Sequence, residues 1–332
     1  MNLQSRRSGR PHERTGLYRF SMLTVIAVVV LLLAGAAVKS TESGLAVPDW
    51  PLSFGQVMPP MEGGVFYEHG HRMIAAAVGV LTIVLALWFW IRDPRPAIRR
   101  LGWIALAVVI VQGVLGGVTV LLKLPTAVSA AHACLAQAYF GVVVFLALSV
   151  SRGWNTSPPL RNDINTALPT IAAATTLAIY LQLVIGAVVR HLNAALVIPD
   201  FPLAFGRLVP PVFTPEIAVH YAHRIGALVV AVLAAATAIS AFRLRVDRSD
   251  FRTPAWILAA LTVVQATLGA AIVLSQRHVH PTTIHVVVGA LLLAASLVLT
   301  ARAWKFIGVP GRNRERAHRP RPAPAAGLRE TA

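Results

Sequence analysis
Eight stretches of roughly 20 mostly apolar residues dominate the chain, at 20–38, 69–91, 101–122, 128–150, 167–189, 217–241, 254–275 and 281–303. Each is long enough to cross the hydrocarbon layer of a bilayer as a helix. The first is long for a signal peptide and is not followed by a small-x-small cleavage site, so it reads as a first transmembrane helix. With 56% apolar and only 13% charged residues, the chain is an all-α integral membrane protein rather than a soluble domain.

The eight spans divide into two similar sets of four. Pro48-Asp49-Trp50-Pro51-Leu52-Ser53-Phe54-Gly55 returns as Pro199-Asp200-Phe201-Pro202-Leu203-Ala204-Phe205-Gly206, with six of eight positions identical. Each loop is followed by an apolar span that opens on a His-Arg pair, His71-Arg72 and His223-Arg224. The pattern predicts two tandem four-helix bundles. Four is even, so the halves enter the membrane in the same orientation, as a parallel repeat. The expected organisation is a basic arm (1–18), a first half (19–151), a linker (152–166), a second half (167–304) and a disordered, Arg- and Pro-rich tail (305–332).

The net charge of +17 invites a nucleic-acid reading, but its distribution argues against one. If the N-terminus is cytoplasmic, 23 of the 30 Lys and Arg residues fall on the cytoplasmic side. That bias places both termini in the cytoplasm, with the basic loops beside anionic lipid. The single cysteine, Cys134, excludes an internal disulfide and a cysteine metal cluster.

Apart from His12 and His318 in the tails, all nine remaining histidines lie on the outer side. Four of them repeat. His71 matches His223, and His132 matches His285; Gln112 and Gln265 precede the latter two by the same 20 residues. Two imidazoles at similar depth on different helices can bind one metal from opposite sides. Two neutral nitrogens make a poor closed zinc site. A haem supplies four nitrogens of its own and needs only two axial ligands, and its apolar ring suits a bundle interior. Gly116, Gly117 and Gly269 allow close approach to such a ring, and Arg72 and Arg224 are placed to pair with its propionates. His69, His191, His278 and His280 read as hydrated interfacial side chains.

Glu68 lies three residues before His71, on the same helical face, whereas the second half has His220 in its place. A carboxylate beside only one site suggests that the halves have diverged. Spacing alone equally allows a Glu that simply meets the dipole of a helix N-terminus.

The Glu-x-x-His-Arg opening, the Pro-Asp-Trp-Pro-Leu loop, its second copy and the four histidines together resemble the haem A synthase family (CtaA/Cox15-type) over roughly residues 20–303. The resemblance implies oxidation of a methyl group of haem O, in two successive steps, to the formyl group of haem A for terminal oxidases. It implies a haem b cofactor on His223 and His285, with Arg224 beside it. The haem O substrate is implied near His71, His132 and Arg72, with Glu68 as the essential acid. A haem O synthase and an electron-transfer partner are the implied protein partners. Many bacterial relatives carry a cysteine pair around the first loop; here Val47 and Ser53 stand there, and Ile198 and Ala204 in the second copy, so no loop disulfide can form. A b-type cytochrome with two haems, which only passes electrons, would use the same four histidines without needing Glu68. A parallel-repeat transporter would need ionisable groups near mid-membrane, whereas those here cluster at span ends. The oligomeric state stays open, a homo-oligomer included.

Overall fold
The computed structural model describes residues 11–158, 160, 167–244 and 249–308. The expected tail beyond 308, linker residues 161–166 and the first ten residues of the basic arm lie outside these.

Eight long helices match the eight apolar runs: α1 (Pro11–Ser40), α2 (Gly63–Arg92), α3 (Pro96–Leu121), α4 (Thr126–Val150), α6 (Leu168–His191), α7 (Pro215–Phe242), α8 (Ser249–Leu274) and α9 (Val279–Phe306). A short helix, α5 (Arg152–Thr156), follows α4. All eight are long and apolar enough to span a membrane. Large apolar side chains such as Leu23, Ile26, Val80, Ile110, Leu228 and Val263 are exposed on them, as a lipid solvent requires. Helix α1 starts at Pro11, so part of the stretch expected as an irregular arm is helical.

Local chemistry sets several helix starts. Pro96, Pro169 and Pro215 occupy first-turn positions, where a missing N–H costs nothing. Thr214 caps α7 by accepting from Ile217 N at 3.3 Å.

Helices α1–α4 close a ring of neighbours, as do α6–α9, and α1 and α4 meet α6 and α9 along a seam. The first core gathers Val28, Leu85, Phe89, Phe140, Val143 and Leu146 and reaches Ala290 of α9. The second gathers Leu168, Ile179, Ala234, Phe251, Leu258 and Leu299. Buried hydroxyls tie helices within each ring: Thr82 to Tyr139 at 2.5 Å and Thr175 to Thr237 at 2.7 Å.

The two long loops are built alike. Ser53 and Gln56 exchange backbone hydrogen bonds around Phe54 and Gly55, whose φ angles are 54° and 70°. Ala204 and Arg207 do the same around Phe205 (57°) and Gly206 (71°). Both are tight turns with two left-handed central residues. A phenylalanine tolerates that conformation poorly. Asp49 compensates by accepting from Phe54 N (2.7 Å) and Gly55 N (2.8 Å); Asp200 accepts from Phe205 N and Gly206 N, both at 2.7 Å. These bonds hold both carboxyls below their ordinary range, with Gly55 acting most strongly on Asp49 and Gly206 on Asp200. The preceding peptides Trp50–Pro51 and Phe201–Pro202 are both cis.

Candidate haem-ligating histidine pairs
His71 and His223 are each the ninth residue of their helix, α2 and α7; His132 and His285 are each the seventh, in α4 and α9. Within each pair type the two halves thus place the histidine at the same position along its helix. The His223 and His285 ring centroids are 6.5 Å apart. Two imidazoles bound to one metal at about 2 Å per bond have centroids about 6 Å apart, so this pair is spaced for a shared ion.

Each histidine rests on a glycine of the preceding helix. A Cβ added to Gly35 of α1 would lie 2.9 Å from His71 Cε1. The corresponding distances are 3.1 Å from Gly116 to His132, 2.9 Å from Gly186 to His223 and 3.5 Å from Gly269 to His285. Gly35, Gly116 and Gly186 are therefore cradles that let the Cε1 edge of an imidazole come close to a helix backbone, whereas a Cβ at Gly269 would make an ordinary contact.

Glutamines hold three of these histidines. Gln112 Nε2 donates to His132 O at 2.8 Å. Gln182 Nε2 contacts His223 Nδ1 at 2.9 Å and donates to His223 O at 2.7 Å. Gln265 Nε2 contacts His285 Nε2 at 3.3 Å. Each glutamine is four residues before its glycine. The position before Gly35 is Leu31, and His71 Nδ1 is buried without a hydrogen bond of ordinary geometry. Gly226 leaves room for Gln182, whose Oε1 would meet an added Cβ at 2.1 Å. The matching first-half residue, three after His71, is Ile74. Glutamine with glycine in one half is thus replaced by leucine with isoleucine in the other.

Donor chemistry tests the haem reading. His71, His132 and His285 each keep a buried Nδ1 without a partner, which a bound group or ordered water would have to satisfy. Among the described residues, no three His, Cys, Asp or Glu side chains gather at one point. The donor sets are therefore imidazole pairs, which suit a metal that brings its other ligands in a macrocycle.

Glu68 is buried and doubly bound. Its Oε2 accepts from Val47 N at 2.8 Å, and its Oε1 pairs with Arg72 Nη2 at 2.6 Å. It is the sixth residue of α2, whose first turn carries no acid, so the helix-dipole reading falls. Arg72 also donates to the carbonyls of Asp49 (2.7 Å), Leu52 (2.9 Å) and Val47 (3.3 Å). Arg224 repeats this, donating to Leu203 O (2.8 Å), Ile198 O (3.1 Å) and His220 Nε2 (3.3 Å). Both arginines, expected beside propionates, have their donors turned to the loops they clamp. Val47, Ser53, Ile198 and Ala204 are buried beneath those loops.

His69 is a correction. It is buried, with Nδ1 2.8 Å from Ser53 Oγ, rather than hydrated at the interface. His278 and His280 are exposed, as expected. Trp50 drops from the first loop onto Gly117, where an added Cβ would meet its ring at 2.5 Å, beside the Gly116 cradle. The loop therefore covers the His71–His132 end of the first ring.

The fold and these sites define a class: a multi-pass helical membrane protein with an imidazole pair inside each of two apolar rings. A profile of the COX15-CtaA family, described as cytochrome oxidase assembly protein, matches residues 18–64 and 61–297. The chain belongs to that family. It is 32% identical to a heme A synthase of Shouchella clausii over 267 residues, covering 79% of this chain and 88% of the relative. A heme A synthase of Alkalihalophilus pseudofirmus is 30% identical, covering 87% of this chain and 97% of its own. One of Symbiobacterium thermophilum is 29% identical, covering 80% and 88%.

Proposed function
We propose that this protein is a haem A synthase, an oxidoreductase that converts the methyl group of membrane-borne haem O into the formyl group of haem A. The first ring (19–151) takes the substrate and the second (167–304) holds a haem b cofactor. When bound, that cofactor supplies one-electron redox chemistry. His223 and His285 would ligate its iron, and His71 and His132 the substrate iron. The N-terminal arm and C-terminal tail face the cytoplasm, where the Lys and Arg excess lies.

The observation that carries this division is the Gln182–Leu31 difference. Gln182 lies with its amide nitrogen 2.9 Å from His223 Nδ1 and donates to His223 O at 2.7 Å, so it restrains both the ring and the backbone of that histidine. His71 has Leu31 at the equivalent position, whose side chain offers it no polar contact. A retained cofactor calls for a fixed ligand, and a substrate that must leave calls for a releasable one.

Glu68 distinguishes this reading from electron transfer alone. It is a buried carboxylate already oriented by Val47 N and Arg72, so it needs no reorganisation to stabilise positive charge developing at an adjacent carbon or to orient a water molecule. Through Arg72 it is also joined to the covering loop, which excludes bulk water. The test is Glu68→Gln, expressed beside a haem O source, with haems extracted and separated. Bound haem is expected to stay near the unsubstituted level while haem A disappears. Normal haem A in that variant would remove the role. A wild-type protein that binds haem b and leaves haem O unconverted, with an electron partner present, would favour the two-haem cytochrome.

A further inference from the structure
Neither histidine pair accounts for a group of cations on the seam between the rings. Arg190, near the end of α6, is part-buried and reaches both neighbouring helices across it. It donates to Ala36 O of α1 at 2.6 Å, to Ser40 Oγ at 3.0 Å and to Thr282 O of α9 at 3.4 Å. Ala36 follows the Gly35 cradle, and Thr282 lies three residues before His285. Lys39 of α1 bonds Asn193 Oδ1 at 3.0 Å, and Arg277 contacts the same oxygen at 3.5 Å. Arg277 also pairs with Glu42, the one carboxylate that Lys39 and Arg277 share. Arg190 has no carboxylate in ion-pair range among the described residues, so the group carries two positive charges in excess. The Lys39 and Arg277 contacts are exposed, whereas those of Arg190 are part-buried, and a charge withdrawn from water calls for a counter-charge.

Register supplies the second observation. Lys39 is the fourth residue after Gly35, and Arg190 the fourth after Gly186. Each cation thus lies one helical turn, about 6 Å, beyond the glycine that cradles the first histidine of its half, on the same face. The two rings offer equivalent cations at equivalent places relative to their histidines, pointing inward to the seam rather than out to lipid.

We propose that Lys39 and Arg190 are paired anchors for the carboxylate arms of tetrapyrroles. Lys39 takes the macrocycle held by His71 and His132, and Arg190 the one held by His223 and His285. This rests on the reading that the histidine pairs hold tetrapyrroles. Arg190 keeps donors beyond its three backbone and hydroxyl bonds, and charge-assisted pairing with a carboxylate would use them. The assignment also leaves Arg72 and Arg224 to the loops, where their donors are already directed.

The test uses full-length protein purified in detergent from a haem-deficient host. It is titrated with iron mesoporphyrin and, separately, with its dimethyl ester, which keeps the ring and iron but loses the carboxylate charge. The Soret band reports binding. Wild type is expected to prefer the diacid by about tenfold or more in each of two equivalents. Arg190→Gln should abolish the preference in one equivalent and Lys39→Gln in the other, while Arg190→Lys retains it in part. An unchanged preference in both glutamine variants overturns the proposal, as does equal weakening of diacid and ester, which would mark a purely structural role. Loss of co-purifying phosphatidylglycerol from Arg190→Gln with the diacid preference intact would assign the cation to a lipid headgroup instead. If wild type binds neither macrocycle, the reading of the histidine pairs falls, and this one with it.

Discussion

Gly186→Ala puts the cradle to a quantitative test. The new methyl would lie 2.9 Å from His223 Cε1 and 3.4 Å from Nδ1. Carbon atoms rest about 3.5–4.0 Å apart, so the ring must retreat by roughly 0.6–1.1 Å. Gln182 opposes that movement because it holds the ring at Nδ1 and the backbone at His223 O. Metal–ligand distances tolerate only about 0.2 Å, so the displacement exceeds the tolerance several-fold. Overpacking of this kind costs about 1–3 kcal/mol, which is roughly a 5- to 150-fold weaker site. Gly269→Ala is the matched control, since its Cβ would meet His285 Cε1 at 3.5 Å, an ordinary contact. Intrinsic helix propensity favours alanine in both variants by about 1 kcal/mol, so propensity cannot produce a difference between them. The assay is haem per protein after purification, by pyridine haemochrome, with the reduced spectrum of the residual haem. Gly186→Ala should lose most of the second-ring haem and Gly269→Ala little. Equal retention in both, or the reverse order, would refute the cradle argument.

Two further outcomes follow from the loops and the glutamines. Gln182→Leu, which copies the first-half residue into the second, should lower haem retention by about 10–100-fold; dissociation into a haem-scavenging apoprotein measures it, and an unchanged off-rate would show that the Gln182 contact does not secure the ligand. The lowered carboxyls of Asp49 and Asp200 should stabilise the loop turns fully above about pH 3.9, with that contribution lost as pH falls through their lower folded values. Amide exchange at Phe54, Gly55, Phe205 and Gly206, corrected for intrinsic rate, should accelerate on acidification, and Asp49→Ala should remove the pH step in the first loop only.

Much of the fold was legible because lipid allows few alternatives. The eight apolar runs appear as eight helices, and α2 and α7 start at Gly63 and Pro215, before the apolar residues begin. The glycines were harder to see. Gln112–Gly116, Gln182–Gly186 and Gln265–Gly269 share one spacing, which leads to Gly186, but Leu31–Gly35 breaks the series, so spacing does not lead to Gly35. His69 is buried rather than hydrated because Ser53, sixteen residues earlier, returns to meet it, a contact that no local pattern in the sequence encodes. A guanidinium beside a histidine suggests an anion, and only the folded loop reveals that carbonyls also accept from Arg72 and Arg224.

The Arg190 contacts also bear on how the protein is made. Two of the acceptors, Ala36 and Ser40, lie on α1, which is translated before α6, and the third, Thr282, on α9, which is translated after it. During synthesis the arginine therefore binds backward to a helix already in the bilayer and waits for one not yet translated. A chain stalled before α9 lacks His285 together with the third acceptor, and it leaves the α1–α4 face of the seam uncovered where Ala290 and its neighbours belong. Completion of the seam and completion of the second histidine pair thus coincide in one insertion event.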